Sequence, residues 1–301
     1  MILVKLRCLN YYMKQTLFTF AAIVMFCSCG QDHNSSTAKK STSTTHADSV
    51  QLLVRQFAPF INGFWVQKDY VKAMKSTKSP RIAYERVKSD VIAIRINLDD
   101  IKGDSLRMPT AISNHEAGWM YLKVKSGHNN QTLATNNLPG SDFSELGYEV
   151  KSGDTNVVIY HYAPNKRLIE AISYIKELPQ TNPENKLVNV GYRIVNQVLI
   201  AGNYSTTDSN GHPEMVKMDN EGNITGFGDF SAYEVNIDFA EGMLENLDDI
   251  KFTNTGGKDR PSYIFKIDAD TLNLYQELQN ADSTELVKGR LIYRLVKSKV
   301  K

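Results

Sequence analysis

Residues 233–239 read Tyr-Glu-Val-Asn-Ile-Asp-Phe, apolar and polar side chains in strict alternation. An extended chain sends successive side chains to opposite faces, so such a stretch reads as a strand with one wet and one buried face. The alternation recurs in Ile92, Ile94, Ile96 and Leu98, in Met120, Leu122 and Val124, and in Tyr263, Phe265 and Ile267. Strands of this length, joined by turn formers such as Asp219-Asn220-Glu221-Gly222, predict an antiparallel meander. Helical spacing is confined to short stretches: residues 50–57, started by Asp48-Ser49 and stopped by Pro59, then 71–74 and 82–87, separated by Ser79-Pro80. The chain is expected to be mainly β with a few short helices.

Just beyond the opening stretch, Asn246-Leu-Asp-Asp-Ile-Lys251 repeats Asn97-Leu-Asp-Asp-Ile-Lys102 letter for letter. A second echo links Tyr148 to Lys151, Asp154-Thr155 and Ile159-Tyr160 with Tyr263 to Lys266, Asp270-Thr271 and Leu274-Tyr275. Each copy ends in an apolar strand, at residues 171–175 and 291–296, and Gly63-Phe-Trp65 corresponds to Gly202-Asn-Tyr204 at the two beginnings. These echoes predict two tandem β units at residues 50–178 and 188–301, joined by a linker at 179–187 rich in Pro and Asn. Spacing is unequal, 57 residues from Asn97 to Asp154 against 24 from Asn246 to Asp270, so an insertion is expected in the first unit, partly within 127–142.

Gly-x-Trp opening a meander, the late strand Asp270-Thr271-Leu272, and Arg294 in the last strand resemble the calycin group, the lipocalin-like small barrels found in many bacterial lipoproteins. The resemblance implies two tandem antiparallel meander barrels or sandwiches. It implies that Trp65 plugs one end of the first barrel, and that Arg294 packs over Tyr204, which replaces the Trp in the second. The first copy departs from the pattern, with Tyr174 and Lys176 and no arginine in its last strand. These are structural roles, because an eight-stranded barrel is narrow enough for side chains to fill.

The N-terminus carries an address. Lys14 precedes the apolar run at residues 17–26 (LFTFAAIVMF), and Phe26-Cys27-Ser28-Cys29 follows, with small Ser28 before the cysteine to be acylated. A membrane-spanning helix needs about 20 apolar residues, and this run is half that length. The box resembles the lipobox of bacterial lipoproteins, in the looser form associated with Bacteroidetes. Residues 1–28 are therefore expected to be a signal peptide, with Met13 as a natural start, and Cys29 the lipidation site tethering the protein to the outer membrane. Residues 29–49, dominated by Ser and Thr, read as a flexible leash holding His33 and His46.

All three cysteines (Cys8, Cys27 and Cys29) lie in this segment, so the mature body is expected to hold no disulfide and no thiol chemistry. Removing Lys5, Arg7 and Lys14 leaves 32 basic against 33 acidic groups, which gives no electrostatic case for nucleic acid as a partner. No nucleophile elbow, phosphate loop or dinucleotide fingerprint is present, and no cofactor or metal is expected. His115-Glu116 lacks a second histidine at ligand spacing, and His161 stands alone in a strand. Asp99-Asp100 and Asp248-Asp249, in identical contexts, read as one turn or strand end used twice. With 15 Tyr and 12 Phe, the body suits a small apolar ligand, a glycan or a protein partner. A non-catalytic binding lipoprotein is the expected function. The alternative is an envelope hydrolase whose carboxylates meet only in the fold.

Overall fold

The computed structural model describes residues 46–112, 116–136, 143–176, 190–207, 211–239, 244–257 and 260–298. The signal segment, Cys29, the leash up to residue 45 and the linker at 179–187 lie outside the described residues. The chain forms two closed eight-stranded antiparallel barrels in tandem, with few short helices. The first barrel comprises β1 (Gly63–Gln67), β2 (Val91–Ile96), β3 (Ser105–Ile112), β4 (Glu116–Ser126), β5 (Thr132–Asn136), β6 (Phe143–Lys151), β7 (Asp154–Tyr162) and β8 (Leu168–Ile175). The second comprises β9 (Gly202–Thr207), β10 (Pro213–Met218), β11 (Asn223–Phe227), β12 (Phe230–Val235), β13 (Asp249–Asn254), β14 (Ser262–Asp268), β15 (Thr271–Gln279) and β16 (Leu286–Lys297). Each is a meander closed by its first and last strands, Val66 opposite Ile175 and Tyr204 opposite Lys297. Closure leaves no free sheet edge.

Period two sorts the side chains as expected. In β4, Met120, Leu122 and Val124 are buried while Trp119 and Tyr121 stand exposed. The first barrel is filled by Trp65, Ile94, Ile96, Met108, Leu122, Leu146, Ile159 and Tyr174. Its neighbour is filled by a second cluster that includes Val216, Val235, Ile250, Phe252, Leu274 and Leu295. That cluster continues across the junction: Val66 and Ala93 from the first barrel and Tyr70, Val71 and Met74 from α2 (Lys68–Thr77) join it to Ile194 and Val195 of α4 (Val190–Val195). One apolar layer thus serves both units. Beside it the N–H of Arg81, in α3 (Pro80–Tyr84), donates to Asp248 Oδ1 at 3.1 Å.

Three expectations need correction. Helix α1 spans His46–Ile61, beginning before Val50 and running through Pro59, so residues 46–49 are helix and not leash. A proline in the last turn removes one N–H bond, and burial of Phe57 and Ile61 on the barrel outweighs it. The stretch at 127–142, taken for an inserted loop, carries β5. The hexapeptide repeat is not a structural repeat. Leu98–Asp100 is a 3-10 turn between β2 and β3, with Asp99 and Asp100 exposed, whereas Asp249 opens β13, the fifth strand, and is buried. Six residues do not fix a conformation; pairing with β12 and β14 makes the last three residues of the second copy a strand. The insertion that the hexapeptide required is therefore not needed.

The second echo fares differently. It falls on the hairpin of sixth and seventh strands in both barrels, β6–β7 and β14–β15, with letters displaced by one or two positions. Ser152 (φ 53°) and Gly153 (φ 90°) give the first hairpin a two-residue turn whose twist matches its strands.

Candidate functional site

The two Gly-x-aromatic openings build the same constellation twice. Ile61 ends α1 and Ile200 ends a π turn (Asn196–Ile200); each carbonyl accepts from the aromatic four residues on, Trp65 Nε1 at 2.6 Å and the Tyr204 hydroxyl. Burial raises the Tyr204 pKa, which keeps that hydroxyl a donor. Over each ring lies a lysine from the end of the last strand: Lys176 Nζ is 5.7 Å from the Trp65 centroid, and Lys297 Nζ is 5.7 Å from that of Tyr204. A cation at that height is attracted by the ring quadrupole. Glycine leaves room for the approach: a Cβ on Gly63 (φ 141°) would come within 3.1 Å of Lys176 Cε, and one on Gly202 within 2.4 Å of Lys297 Cε, so each lysine would have to shift.

Trp65 and Tyr204 are therefore buried at corresponding barrel ends, but Arg294 does not join them. Its side chain is exposed on the outer face opposite Asn273, because Tyr293 and Leu295 on either side of it take the inward positions. The cation over Tyr204 is Lys297. Lys176 stands in the sequence only as a departure from the expected arginine, and Lys297 lies three residues beyond Arg294. Their signal is the shared placement directly after the apolar end of each last strand, Tyr174-Ile175-Lys176 and Leu295-Val296-Lys297.

Beside each capped end lies a cleft. The first, about 650 Å³, runs from Phe60 and Trp65 past the β6–β7 turn to Lys68, Asn156 and Ile175. The second, about 180 Å³, is bounded by Leu199, Tyr204, the β14–β15 turn, Lys297 and Lys78.

The opposite end of the second barrel is open and aromatic. Phe227, Phe230, Phe252, Tyr263 and Tyr293 meet in edge-on and tilted contacts, for example Phe227 with Tyr293 at 4.9 Å and Phe230 with Phe252 at 5.0 Å. They lie within and beneath a cavity of about 330 Å³ lined by Phe227, Phe230, Tyr293, Thr207, Asn254, Glu214 and Asp229. Burial, followed by the neighbouring Tyr293, pushes Tyr263 up to about 12, so its phenol is neutral. Asn254 Oδ1 is buried with no hydrogen-bond partner among the described residues. A buried acceptor left this way costs free energy.

The carboxylates singled out from sequence do not meet as a catalytic pair. Asp248 turns to the Arg81 N–H, and Asp249 Oδ1 accepts from Asn236 Nδ2 at 2.9 Å; burial raises both pKa values. His161 Nδ1 lies 3.0 Å from Ser144 Oγ, but Ser144 is only 2% exposed, so no substrate carbonyl reaches it in this conformation. His115 lies outside the described residues. No group of three metal-ligating side chains occurs among the described residues. No protein-family model matches the chain, and no curated protein matches it. Fold and geometry alone therefore define its class: a tandem lipocalin-like double barrel with two lysine-capped ends and one aromatic mouth.

Proposed function

We propose that this protein is a lipid-anchored envelope protein that acts by binding, and that the open end of its second barrel takes a small apolar, ring-bearing ligand with one hydrogen-bond donor. The observation that carries the proposal is the aromatic mouth. A cavity of about 330 Å³ walled by Phe227, Phe230 and Tyr293 matches the edges and faces of another ring. At its wall the unpartnered Asn254 Oδ1 calls for a donor. The acylated Cys29, an expectation of the sequence, would keep this mouth at the outer membrane through a polar leash.

The test is a titration with N-phenyl-1-naphthylamine, a neutral amine bearing a phenyl and a naphthyl group that fluoresces when taken out of water. Saturable enhancement is expected, weakened at least about tenfold by Phe230→Asp, which places a charge where a ring should stack. Equal binding by the folded variant would place the ligand elsewhere.

A further inference from the structure

The capped ends carry positive charge in a pattern that packing alone does not explain. In the larger cleft Lys68, Lys151 and Lys176 converge on a wall that includes Phe60 and Trp65. Lys151 is paired with Glu149 at 2.6 Å, but Lys68 and Lys176 have no ion-pair partner within 4.0 Å among the described residues. Asp154 lines the cleft and Glu149, beside Lys151, also acts on Lys68, so three lysines face two carboxylates and the cleft keeps a positive balance. Asn156, only 8% exposed, lines the same cleft, and its side chain has no hydrogen-bond partner among the described residues. The Asn156 amide and the ammonium groups of Lys68 and Lys176 together offer donors to an acceptor in the cleft.

The second barrel repeats the arrangement on a smaller scale. There Lys297 shares the cleft with Lys78, which ends α2 of the first barrel in a left-handed conformation (φ 59°). Burial, then the charge of Lys78, lowers the proton affinity of Lys297. Two like charges held together in a recess are stabilised when an anion joins them. That the same end of both barrels gathers lysines over an aromatic ring argues against accident.

We infer that the cleft beside Trp65 is a binding site for a phosphate group carried on an apolar ring or chain. Lys68 and Lys176 neutralise the phosphate, Asn156 donates to one of its oxygens, and the apolar portion lies along Phe60 and Ile175. The smaller cleft at Lys78 and Lys297 has room for the head group alone. This site is separate from the aromatic mouth and stands or falls independently of it.

The test uses the full-length chain and calorimetric titration with phenyl phosphate, with phenol as the uncharged control. Saturable binding of phenyl phosphate and none of phenol is expected. Lys176→Met keeps the apolar stem over Trp65 and removes the charge; Lys68→Met does the same at the rim. Each should weaken binding about tenfold, the cost of one charge-assisted hydrogen bond, with the β circular dichroism unchanged. Affinity should fall as salt rises.

Co-sedimentation with vesicles of phosphatidylcholine alone or with one third phosphatidylglycerol separates the two sources of phosphate. Retention that depends on phosphatidylglycerol and on Lys176 identifies a lipid head group. Binding of phenyl phosphate without such retention identifies a soluble phosphate ester. Absence of both, or undiminished binding by both folded lysine variants, overturns the site.

Discussion

Asp248 shows how a single half-buried group links the two barrels to pH. Burial raises its pKa above the ordinary aspartate range, while contacts to Ser79 and the Arg81 N–H pull the other way. A carboxyl whose folded pKa is raised is favoured in its protonated form. Its contribution to stability is fully present below the unfolded pKa and is lost as pH rises through the folded value. Asp248→Asn keeps an oxygen for the Arg81 N–H and removes the charge. The variant should therefore unfold at higher temperature than the parent near pH 7, with the difference closing towards about pH 3, measured by thermal denaturation. A lower midpoint near pH 7 would show that the carboxylate charge is used at the junction. The lysines at the barrel ends belong to the same scale: Gly63 and Gly202 admit them, and the rings of Trp65 and Tyr204 receive them.

At the level of elements, alternation was the dependable signal and identity of letters was not. The strands around Ile94, Met120 and Phe265 are where period two puts them, because a half-buried strand must alternate. The strand at 233–239 ends at Val235; Ile237 stays buried and Phe239 packs on Tyr84 without ladder partners of a named strand. The hexapeptide pointed to two units for the wrong reason, since its copies occupy a turn and a strand. The true repeat is sparser: Ile61, Gly63, Trp65 and Lys176 against Ile200, Gly202, Tyr204 and Lys297. Its last member is far along the chain, and only closure of the barrel brings it to the first three. The aromatic mouth was illegible for the same reason, as Phe227, Phe230, Phe252, Tyr263 and Tyr293 come from five strands and meet only inside the second barrel.

For the whole molecule, the shared apolar layer makes the double barrel one body, and the N-terminal segment is proposed to be its address. No helix among the described residues is long and apolar enough to cross a membrane; in the proposed function, attachment rests on the lipid at Cys29. Cys29→Ala should move the protein from the membrane fraction to the soluble fraction while its β circular dichroism is unchanged; continued sedimentation with membranes would remove Cys29 as the anchor.

The central claim is that the second barrel binds through its open aromatic end. Amide chemical-shift mapping of the full-length chain during titration with N-phenyl-1-naphthylamine tests it most directly. Shifts concentrated at Phe227, Gly228, Phe230, Asn254 and Tyr293 are expected; shifts confined to the first barrel, or none at saturating probe, would contradict it.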